Sequence, residues 1–219
     1  PMSRAAAIFD LDRTLISASS AGVFRRHLAQ AGITGDTEIP LSDVFSRFYE
    51  QFGENWLMMQ PARLASRAAA GWDVNQVAEA MNGAAADLEE LLLPFARMTI
   101  DEHRERGDLL VMATTSPRPF VEPFADRLGF DGVVATEWER DGTVYTGRRV
   151  DGFVWGRAKA DAVRAWAERH GVSLAGSSAY SDSYFDAALL MMVGHPTAVN
   201  PDVRLRGLAA IRGWKVRSF

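Results

Sequence analysis

Short apolar runs alternate along most of the chain with longer stretches of helical periodicity. The apolar runs are too short for helices and predict buried strands at residues 5–9, 109–113, 133–135, 178–181 and 197–199. Between them, the periodicity predicts helices at residues 119–128 and 156–170, each followed by a glycine. Strands that alternate with helices are typical of an α/β fold in which a parallel, doubly wound sheet lies between two helical layers.

The span between the first and second strands breaks this alternation. Leu41, Val44, Phe45, Phe48 and Phe52 recur at spacings of three and four, and residues 64–70 and 74–93 are rich in helix formers. We therefore predict an all-helical insertion over residues 17–92. Residues 1–16 and 93–219 would then form the α/β core domain.

Composition narrows the class of protein. The 219 residues are 47% hydrophobic and 24% charged, which is typical of a globular chain. A net charge of −4 argues against nucleic acid as a partner, because phosphate contacts need clustered positive charge. With no cysteine, thiol catalysis and thiolate metal sites are excluded. No apolar stretch approaches the roughly 20 residues of a membrane span, so a cytoplasmic location is expected.

Two carboxylates, Asp10 and Asp12, leave the first predicted strand one residue apart. Ligands of open parallel sheets bind beyond the carboxyl ends of the strands, which makes this pair a candidate site. In an extended chain the two side chains would point to opposite faces, but a loop that curls after Asp10 could bring both to one ligand. Alternatively, such residues merely begin a turn or cap a helix.

The second strand runs into Thr114, Thr115 and Ser116. Hydroxyl and backbone N–H groups at a helix N-terminus can bind phosphate, although N-capping by Ser116, with Pro117 at the first helical position, would also explain the pattern. Lys159 lies in the first turn of a predicted helix, where a cation is unfavourable unless an anion is near. The alternative is a solvated surface lysine.

The strand at residues 178–181 ends in Asp182, and Asp186 follows four residues later. If Ser183 opens a helix, Asp186 returns one turn later on the side of Asp182. Oxygen clusters of this kind suit hard cations such as Mg²⁺. The alternative is a helix start enriched in aspartate, which the helix dipole also favours.

Taken in order, Asp-x-Asp-x-Thr from Asp10, a strand ending in hydroxyl residues, Lys159, and Asp-x-x-x-Asp from Asp182 resemble the haloacid dehalogenase (HAD) superfamily of phosphatases. The resemblance covers almost the whole chain outside the insertion. It is closest to subfamily IB, which includes phosphoserine phosphatases and carries a helical, C1-type cap after the first motif. It implies the Rossmann-like HAD core and a Mg²⁺-dependent phosphoric monoester hydrolase.

The resemblance also implies residue roles. Asp10 would be the nucleophile that forms an aspartyl-phosphate, and Asp12 the general acid and base. Thr114, the backbone N–H of Thr115 and Lys159 would hold the phosphate. Mg²⁺ would be bound by the Asp10 carboxylate, the Asp12 carbonyl and Asp182. Asp186 would be a further ligand or would orient metal-bound water.

The substrate is less constrained, beyond a small phosphate ester as the partner. Phosphoserine phosphatases carry a glutamate nine residues after the nucleophile, and Ser19 stands there in this chain. The insertion offers Arg47, Arg63 and Arg67 as candidates for contact with a substrate carboxylate or second phosphate, or as plain surface residues. Phosphoserine, another metabolite and a lipid-like phosphate ester therefore all remain open, and the enzyme is expected to be a monomer or homodimer.

A phospho-acceptor switch without turnover is the rival hypothesis. Receiver domains also place acidic residues, a Thr or Ser and a Lys around Mg²⁺. They are much shorter, lack a large helical insertion and have no need of Asp12 as an acid. The motif order therefore favours the enzyme.

Overall fold

A computed structural model describes residues 4–34 and 65–219. The strands of this part of the chain are β1 (Ala6–Phe9), β2 (Leu109–Pro117), β3 (Gly132–Thr136), β4 (Trp138–Asp141), β5 (Val144–Arg149), β6 (Ser178–Ser181), β7 (His195–Val199) and β8 (Lys215–Arg217). The helices are α1 (Ala21–Gln30), α2 (Val74–Glu90), α3 (Pro94–Arg106), α4 (Arg118–Arg127), α5 (Arg157–Arg169), α6 (Ala187–Met191) and α7 (Val203–Arg212). Short 3₁₀ helices span Leu174–Gly176 and Tyr184–Asp186.

Six strands form one parallel sheet in the order β3-β2-β1-β6-β7-β8. Side chains alternate between its two faces, as the period of two requires. Ala7 and Phe9 pack into an apolar cluster with helices α1 to α4, whereas Ala6 and Ile8 pack into a second cluster with α5 to α7. The predicted three-layer, doubly wound α/β fold is confirmed.

The second strand is longer than its apolar run. Residues 109–113 were expected, but β2 continues through Pro117, which pairs with Thr136 beyond a break in register. The N-capping explanation for Ser116 is therefore wrong. Helix α4 begins at Arg118 with Pro117 at its N-cap position and no side-chain cap bond, because the hydroxyl residues lie in extended backbone.

The insertion leaves and rejoins the sheet through neighbouring backbone segments. Ser17 N donates to Leu91 O at 2.9 Å, and Leu93 N donates to Leu15 O at 2.9 Å. Where the structure describes residues 17–92, α1, residues 65–68 and α2 are helical. The division into core and cap domains stays a prediction, since α1 and α2 share one apolar cluster with α3 and α4.

A hairpin of β4 and β5 follows β3 and was not predicted. Its strands are largely polar and exposed, so they carry no apolar alternation. Backbone hydrogen bonds join it to the segment before α2: Gly71 N donates to Tyr145 O at 2.8 Å, and Tyr145 N donates to Trp72 O at 3.0 Å. The hairpin, which follows the core strand β3, is thus hydrogen-bonded to the part of the insertion that precedes α2.

The described helices include none with the length and apolar character needed to cross a lipid bilayer.

Gly194, the residue before β7, provides a test of the close backbone packing against Ala175. A Cβ at this position would lie 1.9 Å from the carbonyl oxygen of Ala175, which is backbone and cannot rotate away. We expect Gly194→Ala to lower the free energy of unfolding by about 2 kcal/mol in chemical denaturation. Gly207→Ala, in helix α7 with no atom within 4 Å of the added methyl group, should be neutral or stabilising. Equal effects of the two changes would contradict this account.

Candidate active site

Three adjacent strands bring the predicted site residues to one edge of the sheet. β1 pairs in parallel with β2 and β6, and the register places Phe9 opposite both Met112 and Tyr180. Asp10 continues the ladder, since its backbone N–H donates to Tyr180 O at 3.0 Å. Asp10 and Asp182 therefore follow the carboxyl ends of β1 and β6, and Thr114 lies beside them in β2, two residues beyond Met112. Parallel sheets place ligands at this edge.

Lys159 joins two of the predicted carboxylates. Its Nζ lies 2.8 Å from Asp10 Oδ1 and 2.9 Å from Asp186 Oδ2, and its side chain is 1% exposed. Ser181 Oγ also donates to Asp186 Oδ2, at 2.7 Å. A lysine in the first turn of α5 is unfavourable against the helix dipole, and the two carboxylates supply the anions that its position called for. The surface alternative for Lys159 is wrong.

Asp12 lies in a tight loop after β1. The carbonyl of Leu11 accepts from the backbone N–H groups of Leu15 and Ile16, so the chain curls as soon as the strand ends. Asp12 Oδ1 accepts from Ser20 N at 2.7 Å. Burial raises the pKa of the Asp12 carboxyl, and the hydrogen bonds from Ser20 oppose that shift only in part. The group therefore holds its proton to a higher pH than an exposed aspartate.

Ser183 opens a helix after β6, which was the condition for Asp186 to return one turn later. It is the N-cap of the 3₁₀ helix Tyr184–Asp186, and its Oγ accepts from Phe185 N at 3.2 Å. This single turn brings Asp186 back to Lys159. The other carboxylate oxygen of Asp186, Oδ1, is buried and has no hydrogen-bond partner among the described residues.

The hydroxyl residues of β2 lie at the same edge. Thr114 is buried, and its Oγ1 accepts from Ser116 N at 3.2 Å. Thr115 Oγ1 is also buried, and within residues 4–34 and 65–219 no group hydrogen-bonds to it. Hydroxyls in this position can reorient towards phosphate oxygens.

Arg13 is a site residue that the sequence analysis missed. Its backbone is left-handed, with φ at 59°, and its Nε lies 3.4 Å from Asp182 Oδ2. Asn200 Nδ2 donates to the Arg13 carbonyl at 3.1 Å. The one sequence signal for these contacts was the stretch Asn200-Pro201-Asp202, whose polar residues come directly after a strand.

The oxygen groups at this edge fit a hard divalent cation. Asp10 and Asp182 are both largely buried carboxylates on adjacent strand ends, and carboxylates with backbone carbonyls are the donors that Mg²⁺ prefers. Across residues 4–34 and 65–219, no three His, Asp or Glu side chains form a metal-binding group by themselves. A Mg²⁺ site here would therefore need a carbonyl or water among its ligands.

The residues proposed for substrate choice are only partly described. Ser19 Oγ accepts from Ala21 N at 3.4 Å, beside the start of α1, and Arg67 is exposed. Arg47 and Arg63 lie outside the described residues.

Comparison with known proteins supplies a family. The model of the haloacid dehalogenase-like hydrolases matches residues 7–191. The inhibition of morphological differentiation protein of Streptomyces azureus is 36% identical over 99% of this chain and 79% of its own length. A phosphoserine phosphatase of Mycobacterium tuberculosis is 34% identical over 98% and 71%, and a histidinol-phosphatase of Neisseria meningitidis is 28% identical over 97% and 98%.

One solved structure resembles the whole chain. A protein of unknown function from Bordetella pertussis superimposes with a TM-score of 0.84 at 29% identity, covering 99% of both chains. The two chains thus match over almost their whole lengths.

Removal of the Lys159 charge tests the buried ion pairs. In Lys159→Met, the carboxylates of Asp10 and Asp186 lose their shared cation, and we expect the free energy of unfolding without divalent ions to fall by about 3 kcal/mol. Added Mg²⁺ should recover part of that loss. Arg164→Met, which removes an exposed ion pair on the same helix, should change it by less than about 1 kcal/mol. A similar small change for both variants would contradict the assignment.

Proposed function

Because the chain belongs to the haloacid dehalogenase-like hydrolase family, we propose that it is a Mg²⁺-dependent phosphatase of small phosphate monoesters that acts through an aspartyl-phosphate on Asp10. Family membership and the hydrolase class, both predicted from the motif order, are confirmed. The observation that carries the proposal is the buried contact of Lys159 with Asp10 and Asp186 at the edge where Asp12 and Thr114 also lie.

Asp10 is suited to the nucleophile. Its carboxylate lies 2.8 Å from the charged Nζ of Lys159, and this contact offsets the cost of burying an anion there. In the first step, a carboxylate oxygen forms a bond to phosphorus while the bond from phosphorus to the ester oxygen breaks. In the second step, water attacks the phosphorus, the acyl-phosphate bond breaks, and Asp10 is regenerated with inorganic phosphate.

Asp12 is suited to moving the proton in both steps. Its raised pKa favours the protonated acid that must protonate the leaving alkoxide. The resulting carboxylate then accepts the proton of the attacking water, which returns Asp12 to its starting state. The bond from Ser20 N holds one carboxyl oxygen, Oδ1, in a fixed orientation for this transfer.

Phosphoryl transfer otherwise depends on charge neutralisation and positioning. Lys159 lies against Asp10, so it can also contact an oxygen of a phosphate held there. The hydroxyl of Thr114 and the backbone N–H of Thr115 can donate to the other oxygens. Mg²⁺, when bound by Asp10, Asp182 and the Asp12 carbonyl, supplies further neutralisation of the phosphate charge. Asp186 is then best placed to orient Lys159.

The substrate class is a small phosphate monoester. Relatives along almost the whole chain bear the names phosphoserine phosphatase and histidinol-phosphatase, which supports a small metabolite as the substrate. We propose that residues 17–92 form the cap that covers this site. Ser19, Arg47, Arg63 and Arg67 are its candidate contacts to the part of the substrate beyond the phosphate.

Loss of the nucleophile tests the proposal directly. Asp10→Asn should reduce Mg²⁺-dependent phosphate release from p-nitrophenyl phosphate by at least about 10⁴-fold, because the amide cannot form the acyl-phosphate. The fold should remain, as judged by circular dichroism. Asp126→Asn, an exposed aspartate on α4, is the matched control and should retain full activity. Turnover by Asp10→Asn at the wild-type rate would overturn the proposal.

Leaving-group dependence tests the acid role of Asp12. In Asp12→Asn, single-turnover cleavage of an alkyl ester such as phosphoserine should slow by about 10²-fold or more, since the alkoxide leaves without a proton. The burst of p-nitrophenolate from p-nitrophenyl phosphate should slow much less, because that group leaves readily as an anion. An equal loss of rate with both esters would show that Asp12 is not the acid.

A further inference from the structure

We propose that Asn200 and Asp202 are positioning residues that together fix the two loops carrying the proposed Mg²⁺ ligands. Both belong to the short connection between β7 and α7, and neither is a proposed ligand. The inference rests on the proposed function, because it assigns these residues to the geometry of the metal site.

Asn200 holds the loop after β1. Its Nδ2 donates to the carbonyl of Arg13 at 3.1 Å. Arg13 has a left-handed backbone with φ at 59°, which is costly for a side chain with a Cβ and persists only where other contacts maintain it. The peptide unit before Arg13 contains the Asp12 carbonyl, which is a proposed ligand. A hydrogen bond that maintains the Arg13 conformation therefore also fixes the orientation of the Asp12 carbonyl.

Asp202 holds the loop after β6. Its backbone N–H donates to the carbonyl of Asp182 at 2.9 Å, and its Oδ2 accepts from Tyr184 N at 2.8 Å. Asp202 thus contacts the loop on both sides of Ser183. The other oxygen, Oδ1, accepts from Leu205 N at 2.8 Å and caps α7. A helix cap alone would not require the contact with Tyr184.

The two contacts are coupled by their closeness in sequence. Only the buried Pro201 separates Asn200 from Asp202, and its ring restricts the backbone between them. Asn200 is itself fixed, since its N–H donates to Arg217 O at 2.8 Å. The tripeptide Asn200-Pro201-Asp202, which follows β7, therefore sets the distance between the loop after β1 and the loop after β6.

This arrangement predicts a defect in metal affinity. Groups that orient metal ligands typically change affinity by 10- to 100-fold when they are altered. We expect about tenfold weaker Mg²⁺ binding in Asn200→Gly, which tolerates the positive φ of 43° at this position but lacks the donor to Arg13. The same is expected for Asp202→Asn, whose side chain can still cap α7 through its one oxygen but cannot accept from Tyr184 N as well.

The experiment is a calorimetric titration of each folded variant with Mg²⁺ alone, with thermal unfolding in the absence of Mg²⁺ measured alongside. Asp73→Asn is the matched control, because Asp73 also caps a helix, α2, by accepting from Asn75 N and Gln76 N. Within the described residues, its side chain makes no hydrogen bond to a loop of the site. This variant should bind Mg²⁺ like the wild type. Any loss of thermal stability that it shares with Asp202→Asn is due to the cap change alone.

Asp182→Asn distinguishes a failure of the proposed metal site from a failure of the positioning role. If it leaves Mg²⁺ binding unchanged, the proposed metal site itself fails. If it weakens binding while Asn200→Gly and Asp202→Asn both bind Mg²⁺ like the wild type, the metal site stands and the positioning role is overturned. Weaker binding in all three variants, with Asp73→Asn unaffected, supports the role of both residues.

Discussion

The structure depends most on the burial of one positive charge between two negative ones. Lys159 comes from the helix after the hairpin, Asp10 from the first strand and Asp186 from the turn after β6, so three distant segments meet at a single ammonium group. Such a group is costly to remove from water, and only close, well-oriented partners offset that cost. The ion pairs therefore require the three segments to lie in one arrangement, which is also the arrangement that an aspartyl nucleophile needs.

The parallel sheet makes that arrangement possible. Its strands point the same way, so every strand ends at the same edge, and the polar residues that follow them converge although the chain separates them widely. Apolar side chains on both faces fix β1, β2, β3, β6 and β7 in register. Register and ion pairing thus support each other: a strand displaced by one residue would bury the wrong side chains and also misplace its carboxylate.

A second layer of polar contacts refines the site. Ser20 fixes Asp12, Ser181 fixes Asp186, and the connection after β7 reaches both acidic loops. The bonds from Ser20 and Ser181 join residues only eight and five positions apart, whereas those of Asn200 and Asp202 join residues 187 and 18 positions apart. Each of them fixes the position of an oxygen atom at the edge of the sheet where the proposed phosphoryl transfer would take place.

The sequence by itself determined the α/β class and the order of the sheet-forming motifs, because local hydrophobic periodicity carries that information. The residue types at the strand ends indicated the candidate site residues. The sequence located Asp10, Asp12, Thr114, Lys159, Asp182 and Asp186. It did not reveal the hairpin of β4 and β5, whose polar strands are stabilised by pairing with each other and with the residues before α2. Only the tertiary structure decided that Asp186 pairs with Lys159, that Arg13 meets Asp182, and that Asn200 and Asp202 contact both loops. Those contacts join residues far apart in the chain, and their partners are fixed by the folded backbone rather than by any local pattern.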